Sequence, residues 1–265
     1  MRERYAVVGN PVRHSMSPQI HAAFARATGQ EIDYVRIESP LDGFERTVDA
    51  FRAEGGKGMN VTLPFKEAAF RYCRHVTPRA RSAEVVNTLA FSGGEAFGDT
   101  TDGAGLVSDL ERNVGFALLR KHLLLMGAGG AAQGVVPALL QAGVARLVIV
   151  NRTVPRALAL AARFGVHGCG YDELAGEGFD IVVNATSAGL VNEAPTLPAS
   201  VFKPGALAYD MVYGRDTPFL AQARAAGARA SDGLGMLVEQ AAESFFVWRG
   251  VRPATRAILE RLRHG

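Results

Sequence analysis

The side chain of Lys66 is a candidate for proton transfer, because an amine can gain and lose a proton near neutral pH. The sequence holds 29 lysines and arginines, and only four of them are lysine. Because most basic residues of this chain are arginine, a lysine suggests a need for a group whose pKa can be tuned, which a guanidinium does not offer. Asn60 and Thr62 lie just before it, two residues apart. In a strand, that spacing places both side chains on one face.

Three further segments of the first half are rich in polar groups. Ser15 and Ser17 lie near a predicted helix start, where an anion is favoured. Asn87 and Thr88 interrupt an otherwise apolar strand, and Asp102 places a carboxylate at the start of a helix. Taken one at a time, these residues are better explained as caps, turns and a surface lysine. Only the whole set of these residues, taken together, indicates a function.

A glycine-rich turn between a strand and a helix predicts a dinucleotide site. Residues 123–132 read LLLMGAGGAA, an apolar run followed by the pattern G-x-G-x-x-A. The first glycine allows a tight turn, the second lets the backbone approach a pyrophosphate, and the alanine permits close packing of helix on strand. Free N–H groups at the helix start would bind the phosphates. A glycine turn without function is the alternative. The predicted contacts are Gly127, Ala128, Gly129, Gly130 and Ala131.

The end of the next strand indicates which dinucleotide is bound. Enzymes that use NAD commonly have an acidic residue here, whereas this chain has Asn151, Arg152 and Thr153. Arg152 could clamp a 2′-phosphate through charge-assisted hydrogen bonds, and Arg156 could join it from the next helical turn. NADP is therefore predicted, with a surface arginine as the alternative. Thr186, after a later strand, suits a backbone that passes close to a cofactor, although a plain loop explains that segment nearly as well.

The order of predicted elements is that of an α/β protein with two lobes. Strands alternate with helices in the first hundred residues and again from Leu123 onward, which predicts mostly parallel sheets covered by helices. A helix over 102–113 would bridge the lobes and leave a cleft between them, and Ser17 would cap the first helix. The predicted strands cover 5–9, 34–38, 58–63, 85–91, 95–98, 123–126, 146–150, 180–184 and 206–211. The predicted helices cover 17–28, 41–53, 65–73, 131–142, 154–164, 218–226, 234–248 and 253–263.

Composition argues against several other classes of protein. The chain has 265 residues and a net charge of only +3, and its densest basic stretch, 71–81, predicts a solvated helix face rather than a nucleic-acid site. Cys73 and Cys169 lack ligand spacing, so we expect two reduced thiols, and His14 and His21 predict packing or capping rather than a metal. No signal peptide or membrane span is visible, which predicts a cytoplasmic protein.

Together these segments resemble the shikimate dehydrogenase family, essentially from end to end. The most specific pieces are residues 60–66, which read NVTLPFK, and residues 99–103, which read DTTDG. The segments GNP at 9–11, the two serines, the glycine turn, NRT at 151–153 and DGLGMLVEQA at 232–241 agree. The family implies reversible, NADPH-dependent reduction of 3-dehydroshikimate to shikimate in aromatic amino acid biosynthesis.

The resemblance also implies roles for single residues. Lys66 and Asp102 would form the catalytic pair, and the two serines would hold the substrate carboxylate. Tyr213 would lie beside the substrate, and Met211 and Gly233 beside the nicotinamide. The substrate domain would be discontinuous, over 1–101 and 234–265, with a Rossmann-type NADP domain over 102–233. The implied substrate contacts are Ser15, Ser17, Asn60, Thr62, Asn87, Asp102, Tyr213 and Gln240.

Two residues depart from the family pattern, and two other functions stay open. The family often has lysine where this chain has Met16, and asparagine where it has Thr100, which leaves fine details of substrate positioning open. A quinate/shikimate dehydrogenase with relaxed cofactor use is the nearest alternative. A catalytically silent NADP-binding regulator is the other, although it would be expected to lose Lys66 or Asp102. The partners predicted are a small-molecule substrate, no nucleic acid and no membrane, in a monomer or homodimer.

Overall fold

The computed structural model describes residues 2–191 and 193–264. The chain divides into two compact units. The first comprises Met1–Gly105 with Leu237–Gly265, and the second comprises Leu106–Met236. Because the first unit is made from both ends of the chain, the second is an insertion within it.

The first unit is built on a mixed sheet of six strands, in the order β2-β1-β3-β5-β6-β4. Strand β5 runs antiparallel to both of its neighbours, while β1 pairs in parallel with β2 and β3, and β4 with β6. The predicted alternation therefore holds for the first three strands and ends at a hairpin. The strands are β1 (Glu3–Gly9), β2 (Ile32–Glu38), β3 (Gly58–Val61), β4 (His75–Val76), β5 (Thr88–Ser92) and β6 (Glu95–Asp99).

The helices of the first unit bury one apolar face against this sheet. In α2, Phe44, Val48 and Phe51 are buried together with residues of β1 and β3. These three residues follow helical spacing, which explains why the segment folds as a helix. The helices are α1 (Ser17–Thr28), α2 (Phe44–Ala53), α3 (Lys66–Tyr72) and α4 (Pro78–Ala83).

The second unit contains a parallel sheet in the order β12-β11-β10-β7-β8-β9. Its central strands are continuous apolar runs, because both faces of such a sheet are covered. In β7, residues 123–126 alternate between two separate hydrophobic clusters. The elements are β7 (His122–Met126), α6 (Gly130–Gln141), β8 (Arg146–Val150), α7 (Val154–Phe164), β9 (His167–Cys169), β10 (Phe179–Asn184), β11 (Phe202–Asp210), α8 (Pro218–Ala225) and β12 (Arg229–Ser231).

Two helices carry the chain across the division between the units. These are α5 (Asp102–Ser108), which continues as a π-helical turn over Asp109–Asn113, and α9 (Leu234–Arg249). A final helix, α10 (Arg256–His264), belongs to the first unit. None of the described helices is long and apolar enough to cross a membrane.

Several predicted element boundaries are wrong. The N-cap of α1 is Met16 and not Ser17, and no side chain caps this helix end. Helix α2 begins three residues later than predicted, and α10 also begins three residues late, at Arg256. Short elements were missed altogether, since strands of two or three residues and a helix of six give little periodic signal. These are β4, α4, β9 and β12.

Candidate active site

Lys66 and Asp102 form a close ion pair in the first unit. Each is the first residue of its helix, Lys66 in α3 and Asp102 in α5. The ammonium Nζ lies 2.6 Å from Asp102 Oδ2, and the two side chains are only 14% and 6% exposed. A charge-assisted hydrogen bond of this length fixes the position of the ammonium group. The residual exposure on the lysine leaves it accessible to a small molecule.

The second oxygen of Asp102 is also bound. Asn87 donates from Nδ2 to Asp102 Oδ1 over 2.9 Å, and the same Nδ2 lies 3.2 Å from Oε1 of Gln240. Gln240 belongs to α9, which packs tightly on α5. A Cβ at Gly105 would lie 2.7 Å from the backbone nitrogen of Gln240, so only glycine fits there. The predicted residues Lys66, Asp102, Asn87 and Gln240 therefore lie together.

A buried polar network supports this cluster from behind. Asn60 donates from Nδ2 to Ser244 Oγ over 2.9 Å, and its Oδ1 accepts from the Tyr34 hydroxyl over 2.7 Å. Thr101 donates its backbone N–H to Asn87 Oδ1 over 2.8 Å, which fixes the orientation of the Asn87 amide. Each of these groups is removed from water, so the hydrogen bonds hold the side chains in single orientations.

The carboxylate of Asp99 holds the turn that leads into α5. Arg79 binds it with two hydrogen bonds, of 2.7 and 2.6 Å, and Asp99 Oδ1 also accepts from the Thr100 N–H over 2.7 Å. Arg79 reaches Glu243 of α9 with its remaining nitrogen, over 3.1 Å. The prediction of a solvated helix face over 71–81 is therefore wrong for Arg79. The hydroxyl of Thr100 is buried and has no hydrogen-bond partner among the described residues.

The two predicted serines lie side by side. Ser15 Oγ donates to Ser17 Oγ over 3.1 Å and accepts the Ser17 N–H over 3.2 Å. Ser17 also interacts with Tyr34, whose hydroxyl is fully buried and has its pKa raised well above 10 by that burial. Tyr34 in turn contacts Asn60, so the serines join the network behind the ion pair. Thr62 follows β3 and packs against Gly9, where an added Cβ would lie 2.4 Å from its methyl group.

His21 lies beneath this network and packs among aromatic rings. Its ring stacks on Tyr34, with centroids 4.2 Å apart, and it is completely buried. Burial lowers the pKa of His21 from 6.5 to about 3, so the ring is neutral. The predicted packing role is confirmed for this residue, whereas His14 lies exposed.

The glycine turn of the second unit has an open backbone. Gly127 has a φ of +108°, which favours glycine, and an added Cβ would lie 3.2 Å from the backbone of Ala185. Gly129 precedes α6, and nothing lies within 4 Å of the position of its missing Cβ. Ala132 is fully buried against the sheet. The turn thus exposes backbone N–H groups at a helix start, together with the half-buried Ala128 and Ala131 and with Gly130 as first helical residue.

The loops after β10 and β11 lie close to this turn. Ala185 donates its N–H to the Met126 carbonyl over 2.8 Å, and Thr186 lies beside Gly127. An added Cβ at Gly233 would lie 2.4 Å from the carbonyl oxygen of Met211, so this position also requires glycine. Thr186, Met211 and Gly233 therefore belong to the same sheet edge as the glycine turn. Tyr213 follows in the Met211 segment and is half-buried.

The two predicted phosphate-binding arginines project from the end of β8 and the start of α7. Arg152 and Arg156 are both exposed, and neither forms an ion pair with any residue that the structure describes. Thr153 precedes α7 as its N-cap, and Asn151 donates from Nδ2 to the Thr153 carbonyl over 3.0 Å. Two unpaired guanidinium groups beside a helix start form a positively charged site on the surface.

Sequence reasoning missed the residues that support the ion pair. Tyr34 and Ser244 act through contacts between segments far apart in the chain, which no local pattern shows. Thr101 lies within the segment 99–103, but its role depends on its hydrogen bond to Asn87. One local pattern does distinguish Arg79. Thr77 and Pro78 begin a new helix, which separates Arg79 from the basic residues before it. Its partner Asp99 could not be named without the pairing of β4 with β6.

Three family models match the chain. The substrate-binding domain of shikimate dehydrogenase matches residues 7–89, and the model described as shikimate / quinate 5-dehydrogenase matches residues 110–194. The C-terminal domain of shikimate 5′-dehydrogenase matches residues 233–263. The chain belongs to the shikimate dehydrogenase family. The resemblance predicted from the sequence is thereby confirmed.

Curated relatives and solved structures of the shikimate dehydrogenase family match over the whole length. The shikimate dehydrogenase (NADP(+)) of Aromatoleum aromaticum is 56% identical, over 98% of this chain and 97% of that protein. Its counterpart in Methylobacillus flagellatus is 53% identical, over 98% and 99%. The crystal structure of shikimate 5-dehydrogenase from Thermus thermophilus, in complex with NADP(H) and shikimate, is 38% identical over 99% of both chains, with a TM-score of 0.89.

Proposed function

We propose that this chain reduces 3-dehydroshikimate to shikimate with NADPH, reversibly, as a step of aromatic amino acid biosynthesis. The observation that carries the proposal is the buried pair of Lys66 and Asp102, 2.6 Å apart, inside a network of further polar groups. A silent binding protein has no need of such a pair, because a buried ion pair is at best weakly stabilising. Proton transfer to and from a substrate oxygen gives this pair a function.

The residues of the second unit fit NADP. The open position at Gly129 would admit a pyrophosphate, with further contacts from Gly127 to Ala131 at the start of α6. Arg152 and Arg156, both exposed, would bind the 2′-phosphate, flanked by Asn151 and Thr153. Thr186, Met211 and Gly233 would lie along the nicotinamide half. When bound, NADPH supplies the hydride.

Lys66 is assigned the proton transfer. As a ketone is reduced, negative charge builds on its oxygen, and a nearby ammonium stabilises that charge and donates the proton that completes the alcohol. Asp102 holds the ammonium in place through Oδ2 and is itself held by Asn87 through Oδ1. In the reverse direction, the uncharged amine accepts the proton from the alcohol. The pair thus serves both directions.

The remaining predicted contacts form two groups of side chains, one for the carboxylate of the substrate and one for its ring hydroxyls. Ser15 and Ser17 would bind the carboxylate, since their hydroxyls lie 3.1 Å apart and can turn toward an anion. Asn87, Asp102 and Gln240 would bind ring hydroxyls. Three further residues complete the assigned contacts, namely Asn60, Thr62 and Tyr213.

The units take separate roles in this proposal. Residues 1–101 and 234–265 would form the substrate-binding and catalytic domain, and residues 102–233 the NADP-binding domain. Both cysteines are free thiols, and burial raises the pKa of Cys73 to about 12, so this thiol stays protonated. A reducing, cytoplasmic location suits such a protein.

One assay tests the proposal. The purified protein is mixed with shikimate or with quinate, each with NADP or with NAD, and reduced cofactor is followed by its absorbance. Rapid turnover with shikimate and NADP is expected. Comparable turnover of quinate, or with NAD, would identify a quinate/shikimate dehydrogenase with relaxed cofactor use. Binding of NADPH without turnover of either acid would identify a silent regulator.

A further inference from the structure

We propose that Arg36 supplies the positive charge that attracts and holds the substrate carboxylate at the two serines. The inference rests on the proposed function, because it assumes that Ser15 and Ser17 receive a carboxylate. Arg36 lies outside the segments by which this chain resembles its family. It follows from where β2 places this side chain.

Arg36 is fixed to the serine segment by two hydrogen bonds. Its Nε and Nη2 donate to the carbonyl oxygen of Ser15, over 2.8 and 2.6 Å. A guanidinium has five N–H donors, so three remain for another acceptor. Tyr34, two residues earlier on the same face of β2, contacts Ser17 and Asn60. One face of this strand therefore supports both serines.

Arg36 forms no ion pair with a carboxylate of the described residues, although acidic and basic residues lie near it in the sequence. Arg13 is also close in sequence to the serines, but it pairs with Glu38 over 3.3 Å. Arg36 is exposed and forms no ion pair with any residue in the described part of the chain. The residue between the serines, Met16, is uncharged. The positive charge of Arg36 is therefore available to a bound anion.

The expected strength follows from distance. The carbonyl oxygen and the hydroxyl of one serine lie at most about 5 Å apart, given standard covalent geometry. A carboxylate bound to the Ser15 hydroxyl would therefore lie within about 10 Å of the guanidinium, which is slightly more than the Debye length of about 8 Å at physiological salt. A partly solvated interaction at that distance changes KM by about 3- to 10-fold. Since the charge acts on the ground state and the transition state alike, kcat should stay unchanged.

Two variants separate charge from anchoring. Arg36→Lys keeps the charge and a donor for the Ser15 carbonyl, whereas Arg36→Gln keeps a donor and loses the charge. Kinetics are measured in the oxidation direction with shikimate and with its methyl ester, which has no carboxylate charge. We expect Arg36→Gln to raise KM for shikimate about 3- to 10-fold, with an unchanged KM for the ester. Arg36→Lys should stay within about twofold of the wild type.

Salt and a matched control complete the experiment. The wild-type KM for shikimate should rise with ionic strength, and that of Arg36→Gln should rise less. Arg13→Gln removes a charge already paired with Glu38 and should leave KM within about twofold. Equal effects of Arg36→Gln on the acid and the ester, or an effect of Arg13→Gln as large, would overturn the proposal. If the wild type does not oxidise shikimate at all, the proposed function itself fails, which is a different result.

Discussion

The two regions proposed to act together differ in how their polar groups are engaged. In the first unit, both carboxylate oxygens of Asp102 accept hydrogen bonds, one from Lys66 and one from Asn87. In the second, Gly129 faces open space, and Arg152 and Arg156 have no carboxylate partner among the described residues. The proposed catalytic groups thus have their partners before a ligand arrives, whereas the proposed phosphate-binding groups would obtain theirs from the ligand.

This difference reflects what each region has to do. Proton transfer needs a donor at a fixed position, and fixing it requires hydrogen bonds that are already formed. Binding a charged cofactor needs unpaired donors, since a cation already bound to an acid would have to break that contact first. Substitutions of the Lys66–Asp102 pair should accordingly affect kcat, and substitutions of the two exposed arginines should affect cofactor affinity.

The largest expected effect is that of Lys66→Ala. Loss of the proton donor should lower kcat by about 10²- to 10⁴-fold. The Kd for NADPH, measured by fluorescence titration, should stay within about twofold, since the proposed cofactor contacts lie in the second unit. Lys57→Ala is the control, because Lys57 is exposed. A Lys66→Ala variant with wild-type kcat would remove the assigned chemistry.

Arg152→Ala should produce the complementary result. Loss of a charge-assisted contact to the 2′-phosphate should weaken NADPH binding about 10- to 100-fold and barely change kinetics with NADH. Arg163→Ala, at the other end of α7, is the control. An equal loss of affinity for NADPH and for NADH would argue against a 2′-phosphate contact. It would also contradict the proposed difference between the two regions.

The double variant Ser15→Ala with Ser17→Ala should have a smaller effect, on KM. Two hydroxyl donors to a carboxylate are lost, so KM for shikimate should rise about tenfold or more, while kcat changes less. Steady-state kinetics measure both. An unchanged KM would reassign the serine segment and, with it, the role inferred for Arg36.

The smallest effect concerns the pH dependence of stability. His21 has a pKa of about 3 in the folded protein, against 6.5 when exposed, so the unfolded chain binds the extra proton. Stability from this group is therefore present above pH 6.5 and is lost as the pH falls toward 3, by up to about 1.4 kcal/mol per pH unit. The free energy of unfolding, measured with urea from pH 4.5 to 7, should change less steeply with pH for His21→Phe than for the wild type. His14→Gln should keep the wild-type slope, and identical slopes for all three proteins would contradict the burial effect.

Much of the fold was predictable, because its central elements carry strong local patterns. The strand at 146–150 and the helix at 154–164 have the predicted bounds, and the glycine turn lies between a strand and a helix as expected. The reversal of β5 was not predictable, since direction depends on pairing with β3 and β6 rather than on composition.

The candidate site was predictable for a different reason. Lys66, Asn87, Asp102 and Gln240 came from short motifs, and the structure brings their side chains into contact. The supporting residues Tyr34 and Ser244 did not, because neither belongs to a short motif that indicates a function. Their importance depends on which side chain faces them, and that is decided by packing between distant parts of the chain.

A double-mutant cycle of Lys66→Ala and Asp102→Asn tests the proposed acid–base pair most directly. If the two side chains act as one unit, the double variant should have about the kcat of the slower single variant, because the second substitution removes a group that has already lost its partner. Retained NADPH binding in all three variants confirms that they fold. Independent effects on kcat that multiply in the double variant would contradict the pair.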